Sequence, residues 1–515
     1  MYARAPCGPR RRWLLLAWCL AGCCVLPGVA RPGEHAWDFC VDSVHGDDGN
    51  AGTDPAHAFR TLGRLAGEEL AGKRIGWARG SIFREQFEVP DFAMIGVYGA
   101  GGGPIVSGAD LLPNAAFALA PGVTNTYQIL LDAIPATHNP YAQVSNSEVL
   151  MVWEDNVRMG GRFENHQTSR EGVEATAGSH WWDAENHLLY LHPSDDSDPR
   201  TNGRIYEASV RTLALHGGNG FVVEDVIAEK AYAQTTAGQQ GYAILGHRGG
   251  TYRRCIGRQA WNHAIGVANE EPGGELLFED CAGEDCENLT TPAPATVFIG
   301  YKSGLETPAR VVFRKCVARQ NALEGIIQDI GFFAHGESVH AVFDSVQAEN
   351  LYYGVQTYED PPSKTTLTGS NRFANCIVGA FANGSLSSVS NITARNCGYA
   401  VEASVPGLLV ENLKAVDCFA GVAFFNAPGT VTVRNSVIAR STVPSGSCDG
   451  NGIYTSPDGT TTRSSIDGVV FYRLGAAIYG RPDASEHNTF FGCFRIASDS
   501  GIGSGCFETL PDWRA

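Results

Sequence analysis

The sequence predicts an all-β chain wound as a right-handed parallel β-helix, with an N-terminal capping helix and a β-rich insertion. Three observations predict it. A short β-rich run, a small residue in a shared slot, a polar turn and a second short run opening near a glycine recur along the chain. The repeat runs through Thr251–Val267, Leu276–Tyr301, Val311–Ile330, Ala341–Tyr358, Arg372–Ala382, Asn391–Val401 and Leu408–Phe425. From Cys255 the slot recurs after 26 and then 35 residues, reaches Ser345, and later shortens to 21 residues. That spacing is too short for a βαβ array, which needs about 30 residues or more per unit, and it suits stacked rungs. Finally, 61 glycines and only 4 methionines in 515 residues point to a turn-rich β protein.

The chain divides accordingly. Residues 1–30 read as an export leader: Arg10, Arg11 and Arg12 precede the apolar run Trp13–Leu20, which is too short to span a bilayer. It ends either at Leu20-Ala21-Gly22-Cys23, which matches a bacterial lipobox with Cys23 lipidated, or after Gly28-Val29-Ala30, where small residues suit ordinary cleavage. Residues 31–110 form an N-terminal cap and first rungs, 111–210 a β-rich insertion, 211–440 the main rungs, and 441–515 terminal rungs and a cap. The expected location is periplasm, outer membrane or outside the cell. A membrane is reached only through the lipid anchor.

The formal net charge of −17 argues against nucleic acid, whose phosphates demand a basic face. Cys255, Cys281, Cys316, Cys376, Cys397 and Cys418 share the repeated slot and should form one buried file of free thiols. Cys281 with Cys286, and Cys448, Cys493 and Cys506, remain candidates for disulfides.

Several stretches carry a resemblance. Phe39–Leu65 (FCVDSVHGDDGNAGTDPAHAFRTLGRL) would place Asp54 as the cap of a helix containing Phe59, Leu62 and Leu65. Together with IGVYGAGGGPIVSGAD at Ile95–Asp110, and HWWDAENHLLYLHP and RIYEASVR within His180–Val210, it resembles the pectin-lyase-like β-helix superfamily. The resemblance implies the fold and a sugar-processing setting; it includes no catalytic signature.

Chemistry in such a coil comes from one slot on neighbouring rungs, about 4.7–4.9 Å apart. Aligning WNHAIGV, ALEGIIQ and LYYGVQT stacks His263, Glu324 and Tyr353, which could supply a base, an acid and an orienting hydroxyl. The same column could equally be a solvated turn. Past the strand, a second column gathers Asn269, Glu270 and Glu271, then Tyr301 and Lys302, then Asp329, then Tyr358, Glu359 and Asp360. Its carboxylates could hydrolyse a glycoside, one protonating the leaving oxygen and another activating water. Lys302 could bind a uronate or abstract a proton in a lyase; a charged surface edge explains the column as well.

Trp261, Tyr353, Tyr358 and Tyr301 are candidate sugar-stacking residues, while Trp181 and Trp182 suit local core equally. Arg253, Arg254, Arg258, Arg314 and Arg319 are available to a lyase. No cofactor or metal is expected, although Asp47, Asp48, Asn50 and Asp54 could ligate calcium as readily as they make turns. Sequons at Asn288, Asn383 and Asn391 are accidental if the lipobox operates.

The expected function is cleavage of a polysaccharide bound along the groove, with a hydrolase favoured over a lyase because carboxylates outnumber cations in the second column. The alternative is a non-catalytic glycan-binding or adhesive surface protein.

Overall fold

The computed structural model describes residues 37–498 and 506–507, apart from 132–150, 161–166, 232–241, 247–248, 262, 269–273, 287–295, 302–308, 322–328, 336–338, 359–363, 384–385, 387, 406, 426–428, 442–449, 456–461, 480–481, 492 and 494. The leader, with Cys23, lies outside the described residues.

The body is a right-handed parallel β-helix. Each rung visits three sheets. Gly250–Arg253 lies in sheet one, Ile256–Arg258 in sheet two and His263–Ala268 in sheet three. Among the described residues sheet one has 9 strands, sheet two 13 and sheet three 14, and a 5-stranded sheet takes over the first face from Ser388. Pairing is in register from rung to rung, as in Tyr252↔Phe278, Phe278↔Phe313 and Phe313↔Phe343. Inward side chains therefore stack on their own kind. The rings of Tyr252 and Phe278 lie 5.1 Å apart, those of Phe278 and Phe313 5.2 Å, and those of Phe313 and Phe343 5.6 Å.

Sharp corners flank the short strands of sheet two, and each uses one residue in the left-handed region. Asp225, Arg254, Asp280, Asn391 and Asn412 serve on one side, and Gln259, Asp285, Asn350, Asn375 and Asn396 on the other. Asn and Asp tolerate that conformation best. The asparagines also bond upward: Asn375 donates to Asn350 at 3.1 Å, Asn396 to Asn375 at 3.4 Å, and Asn412 to Asn391 at 3.2 Å.

The cysteines occupy two files rather than one. Cys255, Cys281 and Cys316 precede sheet-two strands, in register with Val346 and then Asn371. Cys376, Cys397 and Cys418 follow those strands, below Leu351, on the far corner. The two slots lie five residues apart, and both are small and buried, so spacing alone merged them. Ser345 is one residue out of register; it makes the corner, and Val346 enters the core. All six thiols are buried and free, as are Cys286 and Cys40, so Cys281 and Cys286 do not form the bond considered for them. Cys493 is also free, Cys448 lies outside the described residues, and so does the side chain of Cys506.

At the N-terminus the cap is two 3-10 turns, Pro55–His57 and Gly63–Gly67, in place of one helix. Asp54 caps the first, accepting from the amides of Ala56 and His57. Phe59 then extends to bridge Val41, which breaks the helix. The Glu85 carboxylate accepts from the amides of Leu62 and Gly63 at 3.0 and 2.6 Å, fixing the second turn to the first rungs.

The insertion folds as two four-stranded antiparallel sheets with one short helix, Arg170–Ala175. It is joined to the coil by buried charges. Lys230 meets Glu207 at 2.5 Å and lies over the Trp153 ring at 5.1 Å, Arg84 meets Glu207 at 2.7 Å, and Arg211 meets Asp110 at 2.8 Å.

Candidate active site

Both candidate columns fall on or beside sheet three, which has the most strands among the described residues. Its register fixes the columns. Tyr242, His263, Thr296, Ile330, Tyr353, Val378, Tyr399, Ala420 and Asn451 stack in sequence at the start of their strands.

His263 and Tyr353 thus share a column, but three rungs separate them, about 14 Å at the usual strand spacing. Ile330 takes the place assigned to Glu324, because the strand begins six residues later than that alignment supposed. Glu324 itself lies outside the described residues, as do Glu270, Glu359 and Lys302. In the second column Ala268, Tyr301, His335 and Tyr358 are in register, so the backbones of Tyr301 and Tyr358 align. Asp329 is not in that column. It precedes its strand, at the opposite end, where it is buried and accepts from Gln320 Nε2 at 2.8 Å.

Trp261 is also displaced from its expected role. Only 4% exposed, it packs against Ala109, Met151 and Trp153 of the insertion and offers no face to a sugar. His263 is buried, its ring stacked 4.9 Å from Tyr242. Trp181 and Trp182 stack on Tyr190 and His187 within the insertion. The arginines belong to a ladder of alternating charge on other faces. Arg253 bonds Glu224 and Glu279, Arg254 bonds Asp225, Arg258 bonds Glu229, Arg314 bonds Asp344, and Arg319 bonds Glu284. In the opening loop Asp47, Asp48 and Asp54 accept backbone amides and Asn50 donates to the Ala58 carbonyl, which are turn roles.

The structure points to a different centre. Along Tyr399–Ala403 the pattern of half-buried and buried residues turns Tyr399 and Glu402 outward and Ala400, Val401 and Ala403 inward. Glu402 lies in register with Phe381 on one side and Ala423 on the other, with Gln356 one rung beyond Phe381. Burial raises its carboxyl above the ordinary glutamate range, and no cation offsets that burial.

Aromatic rings surround it on successive rungs. Tyr353 stacks 5.4 Å from Phe381 and contacts Tyr352 at 4.6 Å; Phe425 lies 5.6 Å from Tyr399 and 5.8 Å from Tyr454. Burial, then Tyr352 and Glu402, push the Tyr353 phenol up to about 12, so it stays a neutral hydroxyl. The Gln356 Oε1 atom is buried without a donor, a costly arrangement rarely retained without use.

Sequence reasoning missed Glu402 because the columns were followed only through the rung ending at Asp360. The signal was present: GYAVEASV carries a single charge in a largely apolar run.

No family model matches the chain, and no curated protein matches it. Among solved structures, the complex of XylC with xylose is 12% identical, covering 88% of this chain and 86% of that one, with a TM-score of 0.55. A glycoside hydrolase at 8% identity covers 90% of this chain and 97% of its own, with a TM-score of 0.49. The GH136 lacto-N-biosidase from Eubacterium ramulus is 11% identical over 90% of this chain and 68% of its own, with a TM-score of 0.41. At these identities the likeness to XylC establishes the shared fold.

Proposed function

We propose that this chain is an exported hydrolase that cleaves glycosidic bonds of a polysaccharide lying along sheet three. Glu402 carries the reading: a carboxyl whose hold on its proton burial strengthens, facing outward among rings that a pyranose can stack upon. In the reaction the Glu402 proton passes to the glycosidic oxygen as the bond from that oxygen to the anomeric carbon breaks. A water oxygen then bonds to the anomeric carbon, and its proton goes to a second carboxylate. Among the described outward side chains of the sheet-three strands between Tyr353 and Thr455, Glu402 is the sole carboxylate, so the second group comes from elsewhere. Asp329 stands three rungs away, about 14 Å along the axis alone, beyond the roughly 5–9.5 Å that separates such pairs. That XylC was solved with xylose supports a saccharide ligand for this coil.

The test is reducing-end release from neutral and acidic polysaccharides, with ultraviolet absorbance followed for unsaturated uronates. Glu402→Gln should lower kcat at least 1,000-fold and leave glycan affinity within a few fold. Parallel amide variants of Glu270, Glu324 and Glu359 locate the second carboxylate, and Asp329→Asn should leave kcat unchanged. Absorbance appearing with the reducing ends would make the chain a lyase and shift attention to Lys302. Binding without turnover on the whole panel would make it a glycan-binding protein.

A further inference from the structure

Resting on that reading of the face, we infer that its substrate is an uncharged pyranose chain laid along the coil axis, and that polyuronates are excluded.

The length and direction of the site come from the rings. Tyr353, Phe381, Tyr399, Phe425 and Tyr454 belong to five successive rungs and touch in two groups, Tyr353–Phe381 at 5.4 Å, and Tyr399–Phe425 at 5.6 Å with Phe425–Tyr454 at 5.8 Å. Five rungs span about 19 Å at the usual strand spacing. That is a strip several sugar rings long, with Glu402 on its third rung, so glycan units extend to both sides of the bond being cut. All five residues are half-buried, so part of each ring is held in place by its neighbours. Rings held in this way suit the C–H faces of pyranoses at small entropic cost.

The choice between neutral and acidic sugar comes from charge. The described outward side chains of these strands include no lysine or arginine. Arg253, Arg254, Arg258, Arg314, Arg319 and Arg434 are instead committed to carboxylates on the other faces. Arg440 lies over Gly450, in the corner before the last of these strands, where a Cβ on that glycine would meet its Nη1 at 2.6 Å. A uronate laid on the strip would lose water without gaining a counter-charge, which opposes its binding. A hydroxyl needs only a partner of either sense, which the Tyr353 hydroxyl, the Glu402 carboxyl and the Gln356 amide can offer.

The experiment is calorimetric titration of the full Glu402→Gln chain with hexasaccharides of xylose, glucose, mannose and galactose, and with hexagalacturonate, at low and high salt. At least one neutral hexasaccharide should bind, with affinity changing less than twofold between the two salts. Tyr399→Ala or Phe425→Ala should weaken it at least tenfold, and Arg440→Ala should not weaken it. Hexagalacturonate should bind at least 100-fold more weakly. Hexagalacturonate binding as tightly as the best neutral sugar, above all if lost in Arg440→Ala, overturns the inference, as does failure of all four neutral sugars to bind. Neutral binding with no turnover by the unaltered chain leaves this inference standing and removes the hydrolase. Turnover of polygalacturonate does the reverse.

Discussion

Glu402 makes the stability of the molecule depend on pH in a particular direction. Its folded carboxyl titrates above the ordinary glutamate range, through burial. Such a group favours folding fully only below the unfolded glutamate value, and the contribution is lost as pH rises through the raised one. Glu402→Gln, which keeps the shape and removes the charge, should therefore gain Tm relative to the unaltered chain as pH increases from 4 to 8. Thermal unfolding across that range checks it, and an unchanged difference would mean the carboxyl is solvated. The cysteines offer a second test. Burial pushes the Cys255 thiol well above its ordinary value, and Cys281 likewise. Thiolate, the reactive form, is then absent at neutral pH. All six slot thiols are also buried away from reagent, so alkylation followed by peptide mass spectrometry should find Cys255, Cys281, Cys316, Cys376, Cys397 and Cys418 unmodified in the folded chain and modified after denaturation.

Single elements show how much of the fold could be read in advance. The recurring runs were legible because parallel stacking imposes a period, and a glycine near the start of the second run was part of it. The structure supplies the reason for that glycine. Gly331, Gly354, Gly379, Gly421 and Gly452 stand in register on sheet three, and a Cβ at Gly354 would meet the Gly379 carbonyl oxygen at 2.4 Å. Gly354→Val should cost about 3 kcal/mol or more, as overpacked backbone contacts do, measured by urea unfolding. What could not be read was which of two equivalent corners each cysteine marked, since both slots are small, buried and five residues apart. The site suffered most from this. Glu324 was given a place that Ile330 holds, and Trp261, beside a polar motif in sequence, is covered by an insertion more than 50 residues upstream. Ion pairs divide in the same way between surface and interior. Arg314→Ala removes bonds from a side chain 41% exposed and should cost under about 1 kcal/mol, less in high salt. Lys230→Ala removes one of the two cations on Glu207 and leaves Arg84 as its partner, and should cost about 2–3 kcal/mol. Limited proteolysis of the insertion distinguishes them: only the lysine variant should be cut faster.

For the whole molecule, the in-register stack has a consequence that goes beyond holding the chain together. Neighbouring rungs share strands of matching length, yet the chain takes 35 residues to pass from Cys281 to Cys316 and 21 from Asn371 to Ile392. Every difference is absorbed in the connections, because the left-handed corner residues restart each short strand at a fixed angle whatever came before it. The strands thus act as a ruler and the connections as free text. Segments bordering sheet three can be lengthened, shortened or exchanged by mutation without shifting a single core contact on the next rung. A lineage built on this plan can remake the face beside sheet three while inheriting the same interior, so sequences can drift far apart while the coil persists.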